Sequence, residues 1–518
     1  MIGRKEFMSQ HRLIYNSDGT NIFIVSSTPE QIYRHVDEVA NSQVTTFMIC
    51  PNGGQVLYYP SGVGEMYGSK LSDEELEAYP NALRMARNLR RLVAGGYDPI
   101  GLVVNRCREK GLETFITFRM NDLHDIDNPQ SPLVSDFYRE HPEWHLNEPE
   151  WGWGGLAPNF AIPEVRDHRF QEIQEVVERY DIDGLELDFQ RFPHYFSHKP
   201  GIAESHIPDM TELVGRIFEM LNRVGRERGK KILLAVRVPS TLEGCRRIGL
   251  DPVNWYKQGW LDFLTVAPFL RTLFKMPINE FKMAMPGLPI YATIEFTAEY
   301  VASSYQRIMT PEMYRGAADS LYACGADGIS LFNMFCSREY GQRSWEPPFE
   351  VLRQIGDPET LRNTERLYIV DQRSDFDQYV DVVPPLPKTL KSDEKAFFSI
   401  MIKTPPTRSE KAMLHIKMSE APPMGKEGKY GYESVDNTIY VDFNGVSLSP
   451  SRTPPGYLFY HYNLDTSRDF LVPNWIFRTG ENVVSLTASF QWTVTNIELA
   501  IIPIRCYHGY NARVTPET

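Results

Sequence analysis

The chain has 518 residues, with 54 Lys and Arg against 67 Asp and Glu, so its formal net charge is −13. Hydrophobic residues make up 42% and charged residues 23% of the chain, which is typical of a globular protein and excludes a disordered or fibrous one. The acidic balance disfavours a nucleic-acid partner, and the absence of a run of about 18 apolar residues argues against a membrane-spanning helix.

Eight short apolar segments recur along the first two thirds of the chain, separated by segments with helical periodicity. The predicted strands are residues 21–27, 44–50, 112–120, 182–189, 231–238, 261–269, 288–296 and 327–335. Eight strands alternating with helices predict an α/β fold of the (β/α)8 TIM-barrel type. An open doubly wound sheet is the alternative, but no Gly-rich phosphate loop follows the first predicted strand.

One connection is much longer than an ordinary loop between a strand and a helix. Residues 121–163 are polar, rich in Pro and Gly, and contain Trp144, Trp151 and Trp153. Loops of this length inside a compact domain are usually functional. In a barrel, this insertion would lie over the C-terminal face, where active sites are found.

The composition changes after the eighth predicted strand. Residues 348–367 have the pattern of a closing helix, and alternating strand patterns with Pro-rich breaks follow. These later predicted strands are residues 396–403, 412–419, 437–449, 456–464, 482–490 and 495–504. We therefore predict a barrel domain over 1–367 and a smaller all-β sandwich over 368–518. The sandwich would bind carbohydrate, brace the barrel or form a homo-oligomer contact, and its sequence does not choose among the three.

Cysteine and histidine patterns predict neither a metal site nor a cofactor. The six cysteines form no CxxC pair, and the histidines form neither HxH nor HExxH. Scattered cysteines in apolar runs are typical of buried free thiols in a reducing compartment. The N-terminus has no apolar signal region, so the default prediction is a cytoplasmic protein, although a trimmed secreted chain would look the same.

The segment from Asp181 to Pro193 carries the strongest chemical signal. In a strand, Glu186, Asp188 and Gln190 would point into the barrel, while the apolar residues between them face the helices. Because Asp188 is nearest the barrel mouth, we predict a catalytic role for it. Glu186, one pleat deeper, is predicted to orient Asp188 or to pair with Arg119 or Arg237. A purely structural ion pair with an inward Arg is the alternative for either acid.

This region resembles the family-ten type of glycosyl hydrolase-like barrels. The matching residues are the step at His141, Pro142 and Trp144, then Pro163 to Arg166, Tyr180, Asp183, Gly184, Asp188, Arg191 and Pro193. The specific match covers about 60 residues. The resemblance implies a carbohydrate-active (β/α)8 domain, and it names a class of protein rather than a reaction.

A fainter similarity to chitinase-type barrels places their proton-donating Glu on Gln190. Since Gln cannot supply a proton, a second acid must come from elsewhere in the chain. Glu295, at the end of the seventh predicted strand, fits best, and carboxylates on strands four and seven resemble the disposition in retaining barrel glycosidases. Two carboxyls flanking one glycosidic bond are what oxocarbenium chemistry requires. A core ion pair with Arg237 is the alternative for Glu295.

Other polar and aromatic residues follow the predicted strands or lie in the insertion and predict a carbohydrate-binding pocket. The predicted substrate contacts are Asn52, Arg119, Asn121, Asp122, Trp151, Trp153, Arg191, His194, Arg237 and Asn333. Tryptophan rings stack on sugar faces, although the bland alternative is that they hold the insertion on the barrel. The arginines at positions 119, 191, 237 and 271 permit an anionic sugar, because guanidinium matches planar oxyanions.

The sequence as a whole predicts a glycoside hydrolase in which Asp188 and Glu295 share the acid and nucleophile or base roles, with Glu186 in support. Retention of configuration is favoured by the strand positions alone. An inverting glycosidase or a transglycosidase on the same pocket is the alternative among enzymes. A non-catalytic carbohydrate-binding barrel is the alternative of a different class, and Gln190 is the feature that favours it. A structural or partner-binding protein is a third reading, which would need an exposed apolar patch.

Overall fold

The computed structural model describes residues 11–77, 79–301, 305–338, 346–373, 382–419, 439–451 and 466–506. Within these ranges, a closed parallel barrel is followed by antiparallel sheets that form a sandwich-like unit, which confirms the predicted fold class. The six cysteines are free thiols. In the same ranges, no helix combines the length and apolar character needed to cross a membrane.

Eight parallel strands close the barrel. They are β1 (Arg12–Ser17), β2 (Thr46–Ile49), β3 (Glu113–Arg119), β4 (Gly184–Asp188), β5 (Leu233–Val238), β6 (Phe263–Val266), β7 (Ile290–Glu295) and β8 (Gly328–Phe332). Strands that follow one another in the chain are neighbours in the barrel, and β8 pairs with β1 to close it. Apart from their ends, β2 to β8 lie where the sequence predicts them.

The first predicted strand, residues 21–27, is wrong. The barrel begins earlier, at β1, and Thr20–Phe23 form a single helical turn after Gly19, whose φ is 83°. Ile22 and Phe23 are still fully buried in the main hydrophobic core. A short buried apolar run has no periodicity that distinguishes a strand from a helical turn, which is why the pattern misleads here.

Helices follow the barrel strands. The α-helices are α1 (Thr20–Phe23), α2 (Pro29–Ala40), α3 (Pro80–Ala94), α4 (Pro99–Glu109), α5 (Asp136–Glu140), α6 (Pro163–Arg179), α7 (Ile202–Ser205), α8 (Ile207–Arg228), α9 (Leu242–Arg247), α10 (Pro252–Lys257), α11 (Ile278–Ala284) and α12 (Pro311–Ala323). Thr28, Asp98 and Thr310 cap α2, α4 and α12, and each cap is followed by a proline. A capping side chain satisfies a free backbone N–H, and a proline at this position costs no hydrogen bond.

The barrel interior changes from apolar to charged along the strand direction. Near the strand N-termini, an apolar cluster contains Ile14, Met48, Phe115, Ala235, Phe263 and Tyr291. Two residues further along, Asn16, Thr117 and Thr265 surround the carboxyl of Glu186. The last inward side chains of β3, β4 and β5 are charged, so the charged layer lies at the C-terminal mouth.

The long insertion covers this mouth. Residues 121–163 contain α5 and two short 3-10 segments, Pro142–Trp144 and Pro149–Leu156. Apolar side chains of the insertion pack on Phe192 and Phe269, which follow β4 and β6; they are Leu123, Ile126, Val134, Tyr138 and Ala157. The charged layer is therefore buried beneath an apolar cover.

The C-terminal part contains two facing antiparallel sheets. Its strands are β9 (Arg366–Ile369), β10 (Lys388–Leu390), β11 (Ala396–Ile402), β12 (Glu410–Met418), β13 (Ile439–Phe443), β14 (Val446–Leu448), β15 (Ser467–Val472), β16 (Gly480–Ala488) and β17 (Trp492–Pro503). One sheet has the order β9-β17-β12-β15, with β10 also on β17, and the other has the order β11-β16-β13-β14. The sequence missed β15, and the strand predicted at 456–464 lies outside the described residues.

The closing helix predicted at 348–367 is also wrong. The segment forms two 3-10 turns, Phe349–Arg353 and Pro358–Leu361, before β9 begins. Asp357 caps the second turn by accepting a hydrogen bond from the N–H of Glu359. Pro358 cannot continue a helix begun before it, because it lacks a backbone N–H and clashes with the preceding turn.

The sandwich is held tightly against the barrel. Asp319, on α12, accepts hydrogen bonds from the hydroxyl of Tyr368 and from Thr404. Arg307 and Glu498 form a fully buried ion pair of 2.7 Å between the chain after β7 and strand β17. Of the roles that the sequence left open for this domain, these contacts provide bracing of the barrel.

Candidate functional site

Charged side chains meet at the C-terminal ends of four barrel strands. Arg119, Asp188 and Arg237 end β3, β4 and, within one residue, β5, and they stand opposite one another in the strand register. Glu295 is the last residue of β7. All four are at most 2% exposed. Buried charges need partners, so the contacts within this layer define what the site is able to do.

Arg237 connects the two acids predicted to be catalytic. Its Nη1 donates to both carboxyl oxygens of Asp188, at 2.9 and 3.1 Å, and its Nη2 lies 3.4 Å from Oε1 of Glu295. The guanidinium carbon is 3.8 Å from the centre of the Phe332 ring, which shields it from water. Two carboxyls from opposite sides of the barrel are therefore held on one cation. This contact is also the ion pair that the sequence left as the non-catalytic alternative.

Asp188 is bound by donors on every side. Besides Arg237, the backbone N–H groups of Gln190 and Arg191 each donate to its Oδ1 at 3.0 Å. These donors fix the carboxyl in one orientation. The turn directly after β4 thus supplies both N–H groups that aim Asp188.

Glu295 has the opposite environment. Its Oε2 is buried and has no hydrogen-bond partner among the described side chains. Burial raises the pKa of Glu295 to about 7, against the opposing charges of Arg237 and Arg191. A carboxyl that is buried, held at one oxygen and free at the other is suited to give or take a proton near neutral pH.

Glu186 lies below the two acids and is structurally satisfied. It accepts hydrogen bonds from Asn16 at 3.2 Å, Thr117 at 2.7 Å and Thr265 at 3.3 Å. The pairing with Arg119 or Arg237 expected from the sequence is not among its contacts. Burial and then the charge of Asp188 raise the pKa of Glu186 to about 7. Glu186 thus senses the charge of Asp188 without touching it.

We expect Glu186→Gln to become more stabilising, relative to wild type, as the pH rises. A carboxyl whose pKa is raised on folding loses its proton first in the unfolded state, so it costs stability between about pH 4.5 and pH 7. The glutamine oxygen can still accept from Asn16 and Thr117, its NH2 group can donate to the hydroxyl of Thr265, and the side chain cannot ionise. Urea unfolding at pH 5 and pH 8 should show a change in the stability difference of up to about 3 kcal/mol. An unchanged difference would contradict the raised pKa.

A second charged group lies beside the first. Arg119 donates to Asp122 at 2.8 Å and to Asp18 at 3.1 Å, and His124 also binds Asp122. Burial raises the pKa of Asp122, but the interactions with His124 and Arg119 outweigh burial and hold the pKa well below its usual range. Asp122 therefore remains an anion in the middle of this group.

Three asparagines predicted as substrate contacts lie at the mouth and differ in how their side chains are hydrogen-bonded. The side chain of Asn52 exchanges hydrogen bonds with both backbone groups of Arg119, at 3.0 and 3.2 Å, and so ties β2 to β3. Asn121 donates to the carbonyl of His194, while its own Oδ1 has no partner. Oδ1 of Asn333, just after β8, is likewise buried without a partner. Asn121 and Asn333 therefore retain an acceptor for a ligand, whereas Asn52 is occupied.

The tryptophans of the insertion lie on histidines that follow β4. Trp151 stacks on His198 with ring centres 4.4 Å apart and is 46% exposed, while Trp153 meets His194 edge-on at 5.2 Å. His194 bonds His198 at 2.6 Å, and burial followed by the charge of His198 lowers the pKa of His194 to about 3. Trp151 alone of the two retains a large exposed face.

Trp144 is further from the charged layer. It stacks on His141 at 3.6 Å and contacts Phe137. These contacts are those of a residue that packs the insertion, which agrees with the structural alternative considered for the tryptophans.

Sequence reasoning missed several residues of the site. Asp18 directly follows β1, and it was missed because the first strand was placed too late in the chain. Glu148, in the insertion, binds Ser197 and the ring of His198 and so fastens the insertion to the loop after β4. No motif marks Glu148, because the contact joins loops that meet only in the folded chain.

Comparison with known protein families gives a match to the part of the chain that contains the segment from Asp181 to Pro193. Residues 21–203 match the family model of Glycosyl hydrolase-like 10. The Glycosyl hydrolase-like 10 match includes Asp188 and Arg191 and confirms the resemblance found in the sequence. Arg237 and Glu295 lie beyond the matched range.

Named relatives align over limited stretches. Glycosyl hydrolase YngK of Bacillus subtilis (strain 168) is 29% identical over 127 residues, which cover 23% of this chain and 21% of the relative. Probable alpha-galactosidase C of Aspergillus flavus is 26% identical over 181 residues, which cover 33% of this chain and 21% of the relative. Glycosyl hydrolase DigH of Escherichia coli (strain K12) is 22% identical over 115 residues, covering 20% and 24%. The alignments thus span less than a quarter of the length of each relative.

Solved structures with a similar outline include the glycoside hydrolase domain of PgaB from Bordetella bronchiseptica. That domain superposes with a TM-score of 0.43 and 10% identity, over 67% of this chain and 99% of its own. The alpha-fucosidase of Thermotoga maritima gives a TM-score of 0.36 and 12% identity, over 90% of this chain and 80% of the fucosidase chain. The Glycosyl hydrolase-like 10 match and the named relatives together support a glycoside hydrolase-type barrel.

Proposed function

We propose that this protein hydrolyses a glycosidic bond with Glu295 as general acid and Asp188 as nucleophile or base. The observation that carries the proposal is the bridge made by Arg237, which holds one carboxyl from β4 and one from β7 at the barrel mouth. Glycosidases need two carboxyls on either side of one bond. The glycosidase names of the sequence relatives agree with this class of reaction.

The two acids have environments that separate their roles. Glu295 has a free buried oxygen and a pKa near 7, so a large share of it is protonated at neutral pH and ready to protonate a leaving oxygen. The carboxyl of Asp188 is held in place by Arg237 and two backbone N–H groups. A carboxylate in that position attacks the anomeric carbon, or activates a water molecule that does so.

Arg237 has a positioning role in this scheme. It orients both carboxyls and lowers the pKa of Glu295, which burial alone would raise further. When Glu295 gives up its proton, the new charge forms beside the guanidinium and is stabilised by it. Arg237 therefore favours the step in which the leaving group is protonated.

The stereochemical outcome depends on the distance between the carboxyls. About 5–5.5 Å predicts retention and about 6.5–9.5 Å inversion. A shared guanidinium is compatible with both ranges. Retention stays our expectation from the strand positions of the two acids.

Access to the acids requires movement of the cover formed by the insertion. Asp188 and Glu295 are at most 1% exposed, and Phe192 and Phe269 lie in the apolar layer above the mouth. A sugar that displaces this layer would meet Trp151 at its exposed face. Closing of the insertion over a bound sugar would then exclude water from the reaction.

A carbohydrate-binding barrel without catalysis is the second candidate. Gln190 stands where chitinase-type barrels have their proton donor, and both polar atoms of its side chain are buried without a partner. A free amide at the mouth is suited to bind sugar hydroxyls. The free oxygen and raised pKa of Glu295 are the reason to prefer a hydrolase.

The test is a cleavage screen of the whole protein on oligosaccharides. The panel contains α-galactosides, β-linked glucosamine chains, and uronic and sulfated oligosaccharides, with proton NMR on the first product. We expect cleavage of at least one class, with the initial anomer reporting retention or inversion. Saturable binding of a sugar without cleavage would favour the binding barrel instead.

A further inference from the structure

Arg191 differs from the two arginines of the charged layer. Arg119 and Arg237 each bind two carboxylates, whereas Arg191 has no carboxylate within salt-bridge distance among the described residues. Its one hydrogen-bonded partner is Nε2 of His124, at 2.8 Å, and its Nε and Nη1 have none. Arg191 is only 8% exposed. It is a buried cation with unused donors.

The contact with His124 aims Arg191 without neutralising it. His124 accepts from Arg191 at Nε2, so its Nδ1 carries the proton and donates to Asp122. Asp122 is already shared with Arg119. The side chain of Arg191 is thus held from one end, and the guanidinium lies 4.8 Å from the centre of the Phe192 ring. His124 takes only one of the two hydrogens of Nη2, so the second one, together with the unused N–H of Nε or of Nη1, can form a two-donor fork that fits a planar oxyanion.

The surroundings of Arg191 favour an added negative charge. Burial and the neighbouring charge of Arg119 lower its pKa, while Asp122 and Glu295 only partly offset this. An anionic ligand beside Arg191 would offset both the burial and the neighbouring positive charge that disfavour its cationic form.

The position of Arg191 ties it to the proposed reaction. Its backbone N–H donates to Oδ1 of Asp188, so its side chain begins three residues beyond the proposed nucleophile. A group bound by Arg191 would sit on the sugar being cleaved or on the one next to it. In a neutral sugar, only hydroxyls would face the buried charge.

We infer that Arg191 selects a sugar that carries a carboxylate, so that the substrate of this barrel is a uronic acid-type glycan. The inference rests on the proposed hydrolase function of the same mouth. A carboxylate is planar and accepts two parallel hydrogen bonds from a guanidinium, and such charged hydrogen bonds contribute more than neutral ones.

The experiment compares each uronic oligosaccharide with its carboxyl-reduced, neutral counterpart. The probes are galacturonate, glucuronate and mannuronate oligomers, with sulfated galactan oligomers as a separate arm. Wild type should prefer one uronic sugar over its neutral partner by about 10- to 100-fold in kcat/KM. Arg191→Met should abolish that preference, and Arg191→Lys should keep part of it. Arg166→Met is the matched control, because Arg166 is equally buried but already has partners in the carboxylate of Asp209 and the carbonyl of Phe160.

The outcomes separate this inference from the proposed function. Equal or faster cleavage of neutral sugars, or a preference for the sulfated ones, would overturn the inference while leaving a hydrolase. If wild type cleaves nothing, calorimetric titration of Asp188→Asn with the same sugars decides the matter. Binding of a uronic oligomer that is lost on adding Arg191→Met would support the inference without a hydrolase, and absence of any such binding would overturn it.

Discussion

Asp188→Asn is expected to lower kcat at least about a thousandfold on any glycan that the wild type cleaves, with sugar binding retained. The amide cannot attack an anomeric carbon or accept a proton from water. Its oxygen still accepts the N–H groups of Gln190 and Arg191, so the turn after β4 keeps its shape. Steady-state kinetics and calorimetric titration of the same sugar measure the two effects separately.

The substitution also weakens one half of the Arg237 bridge. Arg237 would keep Glu295 and lose a charged partner, so we expect a loss of unfolding free energy of up to about 3 kcal/mol. Thermal unfolding shows whether the variant is folded at the assay temperature. Glu186→Gln is the matched control, since it removes a carboxyl from the same strand without touching the bridge. Turnover of Asp188→Asn at a rate comparable to wild type would reject Asp188 as a catalytic residue.

Hydrophobic periodicity in the sequence was sufficient to predict most of the strands. It failed for segments whose structure depends on their length and on the residues that flank them. Strands such as β4 and β7 have buried faces, and their alternation or apolar composition identifies them. Residues 21–27 are as apolar as a strand, yet the chain forms a helical turn at Thr20–Phe23, directly after Gly19 with its positive φ. The predicted closing helix fails for a related reason, since Pro358 interrupts a pattern that otherwise has helical spacing.

The candidate site was only partly predictable. Phase along a strand places Asp188 and Glu295 inward at the mouth, because side chains alternate and active sites of barrels lie at the C-terminal face. The alternation of side chains along a strand does not predict which arginine pairs with which acid. Arg237 is the direct register partner of Asp188 and reaches Glu295 across the position of β6, where its register partner is the small Thr265. Such a contact depends on the volume of a side chain on a third strand.

The same limit explains why the arginines looked equivalent in the sequence. Asp18 was hidden by the misplaced first strand, so its ion pair with Arg119 was not predicted. With Asp18 and Asp122 on Arg119, and Asp188 and Glu295 on Arg237, the carboxylates of the mouth are occupied. The unused donors of Arg191 became visible only when these pairs were known.

The second large effect concerns Glu295 and pH. If Glu295 is the general acid, it must be protonated, so kcat/KM for a glycan with a poor leaving group should fall as the pH rises through about 7. Below that pH the protonated form of Glu295 dominates, and its titration no longer changes kcat/KM. Measuring kcat/KM between pH 5 and pH 9 on the sugar found in the screen locates the limb.

Glu295→Gln should remove this alkaline limb and lower kcat by about 10²- to 10⁴-fold on the same glycan. An activated aryl glycoside needs no protonation of its leaving group, so its cleavage should be slowed far less. Glu186 shares a pKa near 7, and Glu186→Gln is therefore the necessary control, because it should keep the alkaline limb. If Glu186→Gln loses the limb and Glu295→Gln keeps it, the deeper acid governs protonation at the mouth and the role of Glu295 is wrong. Arg237 hydrogen-bonds Glu295 but acts on Glu186 only through its charge, which a lysine keeps, so Arg237→Lys should shift the alkaline limb more if Glu295 is the titrating acid than if Glu186 is.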